Sequence, residues 1–395
     1  MAEHLKRRVG LGLLTAYGVG VMVGAGIYVL VGAVAGEAGL WAPMAFLLAG
    51  VIAAPTALSY SEFSSRIPEA AGEAAFVGKS LNSQTLAVLV GLAIVAVGMI
   101  SAAAVLRGGV GYLTIVLDVP WGWSIVGIGA ALTAVAIFGV MESLSLAAVF
   151  TVVELLGLVL VVWAGMTAPA VPDWTALPAP VWTGIGAGAV LAFFAFIGFE
   201  DIVNMAEEVS NPERTMPRAI LIALGVTTLI YALVAVATVR AVPLSLLAGS
   251  EKPLALVWQI GMGGDGRFLS SIAVFAALNG VLAQIVMASR VLFGLGRRTP
   301  FLAVFHHAHP RTGTPVLASL LVGGAVIVAA LFLNVSVLAE ATSQILLTVF
   351  VIVNFALIVL KRKNPEAPFR VPMIVPVSGL ILSAAALAFN LVDVL

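Results

Sequence analysis

The sequence predicts an all-α polytopic membrane protein of about eleven transmembrane helices, and three observations carry that reading. Of the 395 residues 62% are hydrophobic and only 10% charged, with a mean hydropathy of +1.15, whereas soluble domains run at roughly 45–50% apolar and about 25% charged. Apolar runs near the roughly 20 residues that a bilayer crossing needs recur along the whole chain. Two of them, residues 18–28 (GVGVMVGAGIY) and 191–201 (LAFFAFIGFED), are broken by glycine at matching places in the two halves.

In chain order the crossings are span 1 (9–35), span 2 (41–60), span 3 (85–117), span 4 (121–140), span 5 (144–166), span 6 (183–205), span 7 (217–239), span 8 (268–295), span 9 (314–333), span 10 (335–360) and span 11 (371–391). Gly, Pro and charge clusters separate them at 61–83, 169–180, 207–218, 244–267, 297–313 and 361–370, and these read as loops. Starting in the cytoplasm places Lys6, Arg7, Arg8, Arg66, Lys79, Arg214, Arg218, Arg297, Arg298, Arg311, Lys361, Arg362, Lys363 and Arg370 inside. Only Arg240, Lys252 and Arg267 stay outside, as the positive-inside rule requires. The expected location is therefore a cell (inner) membrane, multi-pass, with a cytoplasmic N-terminus. Trp41, Trp121, Trp123, Trp174, Trp182 and Trp258 fall near outer span ends, where amphipathic rings favour the headgroup level.

The formal net charge is zero, so nothing argues for nucleic acid as a partner. Absence of cysteine removes disulfides, thiolate catalysis and cysteine-ligated metals. His4, His306, His307 and His309 lie in loops without convergent carboxylates, so neither a metal nor a cofactor is expected. No Ser/His, paired Asp or His/Glu metal arrangement stands at a catalytic spacing, so no catalytic residue and no enzymatic activity are expected. The basic start MAEHLKRRVG resembles a signal-peptide flank but lacks a clear cleavage site, and it reads as retained.

Breaking a helix inside a bilayer strands backbone N–H and C=O groups at several kcal/mol each, on the order expected in hydrocarbon, unless they line a cavity or hold a ligand. Paired breaks in corresponding positions are the sequence sign of a midplane binding site between two repeats. Across the first break, Val23, Gly24, Ala25, Gly26 and Ile27 would present free amides at the positive end of a half-helix, which suits a carboxylate. The alternative is that Gly20 and Gly24 only allow close helix packing. Across the second, Ala195, Phe196, Ile197, Gly198 and Phe199 offer carbonyls for an ammonium group and aromatic faces for a side chain or a gate, with Phe199 the gate candidate. The two breaks are expected to face one another across a small wet chamber.

Glu200 and Asp201 follow directly. Adjacent helical side chains project about 100° apart, so one of the two is expected to face the pathway; the alternative is structural pairing with Arg107 or Arg290. Glu154 is the most isolated membrane acid. Burying it ionised would cost on the order of 2.5–3.5 kcal/mol, so it must be paired, hydrated or protonated. It is a candidate proton carrier, a sodium ligand or a salt-bridge partner of Arg107. Asn279 and Gln284 in span 8 either line the cavity or bond a neighbouring helix.

Several motifs together resemble the amino acid, polyamine and organocation (APC) superfamily of secondary transporters: Gly24-Ala25-Gly26-Ile27-Tyr28, Phe193 to Glu200, Ala206-Glu207-Glu208-Val209, Asn211-Pro212-Glu213-Arg214, Ala288-Ser289-Arg290, His309-Pro310-Arg311-Thr312-Gly313-Thr314-Pro315 and Pro368-Phe369-Arg370-Val371-Pro372. The resemblance covers nearly the whole chain. It implies a single domain (1–395) of two inverted five-helix repeats (9–167 and 183–360) with discontinuous helices 1 and 6, followed by an accessory helix (371–391); members usually have twelve spans, and this chain runs out after eleven. It further implies alternating-access transport of an amino acid or related amine, with the alternative of a cationic amine or polyamine. In proton-coupled relatives the place of Glu154 looks like that of a lysine, so the sign is reversed here, and a proton is the expected coupling ion. The glycine turn at 24–26 resembles the one that holds an α-carboxylate. Nothing in the sequence fixes an oligomeric state.

Overall fold

The computed structural model describes residues 9–69, 72–138, 143–175, 177–206, 209–250, 252–264, 266–309 and 313–393, and their side chains except those of residues 25, 115, 143–147, 297, 298 and 390–393. The loop acids Glu207 and Glu208, the basic residues Lys6, Arg7, Arg8 and Arg311, and the side chains of Ala25, Arg297 and Arg298 therefore lie outside it.

Among the described residues, helices lie at each of the eleven places the hydropathy marks: Leu11–Ala38, Ala42–Arg66, Gln84–Val116, Trp121–Phe138, Ser143–Thr167, Trp182–Phe194 continued by Asp201–Met205, Pro212–Ala241, Arg267–Arg298, Val316–Phe332, Val335–Lys363 and Ile374–Asp393; seven helical segments are long and apolar enough to cross a membrane, and the others are shorter apolar helices. Local chemistry sets several ends. Ser83 Oγ accepts from Leu86 N at the start of span 3 and Asn334 Oδ1 from Val337 N at the start of span 10, each satisfying one of the donors a helix start leaves free. Pro212 occupies the first turn of span 7, where its missing N–H costs nothing. Span 10 closes on Lys361, Arg362 and Lys363, charges that oppose the dipole of its C-terminus.

Spans 1 and 6 run against each other at the centre, flanked by spans 2 and 7, while span 3 lies along span 8 and span 4 along span 9. Spans 4 and 5 turn Val135, Phe138, Val149, Val152, Leu156 and Val159 outward, the surface a lipid-facing helix presents. Two segments that read as loops contain helices of more than two turns, Gly72–Leu81 after span 2 and Pro253–Met262 after span 7. Both are 10 residues long, below spanning length, and they occupy corresponding places in the two halves.

The end carrying the N-terminus is tied in two places. Val9 pairs in parallel with Val209, and Ser210 N donates to Val9 O at 2.9 Å, so the start of span 1 is stitched to the segment after span 6. Glu62, buried at the end of span 2, forms the second tie. Its Oε1 accepts from Arg66 Nη2 at 2.5 Å, and its Oε2 accepts from Lys361 Nζ at 2.6 Å and Val371 N at 2.9 Å. Arg66 Nη1 then donates to the carbonyls of Asn364 and Glu366, fixing the loop between spans 10 and 11 against span 2.

Candidate functional site

Both helices break where glycine permits it. Span 1 leaves helical geometry at Gly24 (φ 5°, ψ −157°). In span 6 regular α-helix stops at Phe194, a turn runs to Glu200, and a 3-10 segment resumes at Asp201–Met205. Gly198 has φ 128°, a region essentially reserved for glycine.

The two breaks are in direct contact at two points instead of facing each other across a chamber. A Cβ added at Gly198 would lie 3.0 Å from Met22 N, and one added at Gly26 would lie 3.1 Å from Ala195 Cα. Absence of side chains on both strands is what lets the backbones approach. Val23, Gly24, Gly26, Ile27, Ala195, Phe196, Ile197, Gly198 and Phe199 are all buried.

Tyr231 of span 7, which sequence reasoning missed, joins the breaks. Its hydroxyl lies 2.5 Å from Met22 O and 2.8 Å from Ala195 O, so one proton is shared between a carbonyl of each broken helix. Its ring packs edge-on against Phe196 and Phe46. A lone tyrosine inside an apolar span was the available signal, because a buried phenol needs a partner.

Below the breaks, toward the end that carries the N-terminus, Phe199 lies against Tyr60 and Phe350 with centroids 5.8 and 5.3 Å apart. Tyr60 also meets Phe76 of helix Gly72–Leu81, which stacks on Phe63 at 4.7 Å. These rings form an aromatic floor in which Phe199 is central.

Glu200 and Asp201 turn to different partners. Both are buried. Glu200 folds back so that Oε2 accepts from Gly198 N at 3.0 Å, while Asp201 Oδ2 accepts from Gln284 Nε2 at 2.7 Å. Neither pairs with Arg107. That guanidinium donates to Ala330 O and lies 4.4 Å above the Trp121 ring.

Arg107 is equally remote from Glu154, whose Oε1 accepts from Asn279 Nδ2 at 3.1 Å and whose buried Oε2 has no hydrogen-bond partner. Two tyrosines tie the main chain here: Tyr28 Oη of span 1 donates to the Glu154 main-chain carbonyl at 3.1 Å, and Tyr112 Oη donates to the Tyr28 main-chain carbonyl at 2.5 Å. Asn279 and Gln284 thus bond neighbouring spans, each holding a carboxyl. The Glu154 carboxyl is thus buried with one neutral donor and a spare oxygen. Among the described residues no group of three or more His, Asp or Glu is gathered to hold a metal.

Comparison with known proteins agrees with this architecture. Residues 11–393 match the amino acid permease family. The chain is 29% identical to the methylthioribose transporter of Bacillus subtilis (strain 168) over 368 residues, 88% of this chain and 79% of that protein. It is 28% identical to the branched-chain amino acid permease of the same organism, covering 98% and 89%. Against the vacuolar cationic amino acid transporter 4 of Arabidopsis thaliana it is 31% identical, covering 82% of this chain and 58% of the plant protein.

Proposed function

This chain belongs to the amino acid permease family, a membrane transporter and not an enzyme, and from that premise we propose that it moves an amino acid or related amine by alternating access, driven by a proton. The observation that carries the reading is the meeting of two broken helices at the centre of the bundle, joined through Tyr231. Backbone amides from Val23 to Ile27 would take the substrate carboxylate, aided by the half-helix dipole. Carbonyls from Ala195 to Gly198 would take the ammonium, which competes with the Tyr231 hydroxyl for Ala195 O. Spans 1, 2, 6 and 7 would rock against spans 3, 4, 8 and 9 with Phe199 closing the floor, and the matched helices Gly72–Leu81 and Pro253–Met262 support two repeats of one design. Glu154 would carry the coupling proton. The basic end faces the cytoplasm of a cell (inner) membrane in this reading.

The test is counterflow in proteoliposomes, with candidate amino acids first screened by ligand-induced thermal stabilisation. Branched-chain and cationic amino acids head the panel because relatives carry those substrates in their names. A second reading, uptake of a cationic amine or polyamine, is favoured by the two buried acids at the span 6 break. Competition by an amine that lacks a carboxylate would select it; failure of such amines to compete would remove it.

A further inference from the structure

Beneath the aromatic floor lies Glu73, a further buried acid beside Glu200 and Asp201 that neither transport reading uses. Glu73 stands in the first turn of helix Gly72–Leu81 and is buried, as are Asp201, Glu200 and Tyr60. No ion pair reaches any of the three carboxyls: among the described residues Arg66 and Lys361 bind Glu62, and Lys79 binds Glu69. The hydrogen-bond donors that reach them are neutral, Gln284 Nε2 on Asp201 and Gly198 N on Glu200.

Independent of the acids, several uncharged groups here are buried without partners. Tyr60 Oη faces the Glu73 carboxyl, and beside this pair Gln284 Oε1 and the Asn204 amide have no hydrogen-bond partner. Asn204 Oδ1 lies beside Gly72, where an added Cβ would come within 2.8 Å of it. Unpaired buried polar atoms gathered in one place mark a site that exchanges water or an ion. The Glu73 carboxyl, buried without a cation and beside the acids of span 6, resists ionisation through desolvation and repulsion.

We propose that Glu73, Asp201 and Glu200, together with Tyr60, form a proton-holding site that keeps helix Gly72–Leu81 seated against span 6 while protonated and releases it when the protons leave. The proton passes from the Glu73 carboxyl to water at the basic end, leaving a carboxylate beside Asp201. Repulsion then lifts the helix, withdrawing Phe76 from the ring of Tyr60 and from the stack on Phe63, and opening the floor under Phe199. Burial raises the Glu73 carboxyl to about 8, and the Asp201 charge pushes it the same way.

Other groups that could bias Glu73 are accounted for. Span 2 contributes Tyr60 and the Glu62–Arg66 pair; span 6 contributes Asp201 and Glu200; span 10 contributes Lys361, bound to Glu62, and Lys363, whose Nζ donates to Ser80 O. Span 3 has no charged residue between Gln84 and Arg107. Arg290 of span 8 bonds Met205 Sδ. The gating role rests on the transport reading, but its test needs no substrate.

Because the chain has no cysteine, a single Ala75→Cys on the buried face of this helix can be labelled selectively. Its rate with a membrane-impermeant maleimide, in protein reconstituted into nanodiscs, is divided by that of an exposed Arg362→Cys reference to cancel thiol ionisation. The ratio should rise by about tenfold or more between pH of about 6.5 and about 9. In Glu73→Gln it should stay low and flat. In Asp201→Asn the midpoint should move to lower pH, since the charge that favours protonated Glu73 is gone; this second variant decides if the first does not fold. A flat ratio with Glu73 present, an unchanged rise in Glu73→Gln, or an unmoved midpoint in Asp201→Asn would each overturn the proposal. A pH-dependent ratio in a protein that exchanges no amino acid would leave it standing and sink the transport reading.

Discussion

Replacing Gly198 by alanine tests the contact on which the central site depends. At φ 128° an alanine is strained by about 1–3 kcal/mol, and its Cβ would sit 2.9 Å from Val21 Cγ1 and 3.0 Å from Met22 N. The first neighbour is a side-chain methyl that can swing aside; the second is backbone and cannot move without shifting span 1. Overpacking of that kind adds about 1–3 kcal/mol, for a combined cost of about 2–6 kcal/mol. Gly26→Ala supplies the internal comparison, since its Cβ meets Ala195 Cα at 3.1 Å without the positive φ, and only the packing part, about 1–3 kcal/mol, applies. Equilibrium unfolding of the purified variants in mild detergent measures both. Counterflow should fall in the same order, because pushing the strands apart displaces the amides and carbonyls proposed to hold the ligand. Should Gly198→Ala unfold within about 0.5 kcal/mol of the parent, the range of a neutral surface change, and exchange substrate at the parental rate, the packed geometry of the two breaks is wrong.

Three further outcomes follow from the same geometry. Glu154→Gln keeps the hydrogen bond from Asn279 but cannot release a proton, so accumulation driven by a pH gradient should vanish while substrate exchange survives; persistent accumulation would assign coupling elsewhere. Lys361→Met strips one cation from buried Glu62 and should cost about 3–5 kcal/mol in unfolding experiments, with partial recovery in the Glu62→Gln, Lys361→Met double variant. Glu73, raised by burial from 4.5 to about 8, binds its proton more tightly folded than unfolded. Its contribution is therefore fully present below about pH 4.5 and is lost as pH climbs to about 8; Glu73→Gln should flatten that slope in thermal melts.

The spans were legible because a bilayer demands long apolar runs whatever the tertiary packing, and the breaks were legible because Gly24, Gly26 and Gly198 interrupt two such runs at matched depth. What the sequence withheld depends on how each helix is rotated about its axis. Arg107 and Glu154 look like an obvious pair in a list of membrane charges, yet Arg107 turns to Trp121 and Ala330 while Asn279, uncharged, takes the acid. Tyr231 carries no motif, and its role exists only where spans 1, 6 and 7 converge. Helix Gly72–Leu81 escaped notice because 10 residues cannot cross a bilayer and its sequence, with Glu73 and Lys79, reads as solvated loop. Glu73 is buried there by Tyr60 and span 6, a cover that no local pattern announces.

The stitch between Val9 and Ser210 makes the two discontinuous helices share a hinge pin at one end. In the proposed rocking, motion of either one would pass to the other through main chain, with no side chain required, and mutagenesis of nearby residues would leave that coupling untouched. A pair of spin labels at Gly10 and Ser210 should hold a constant separation through the whole cycle, while labels at the far ends of the same helices diverge.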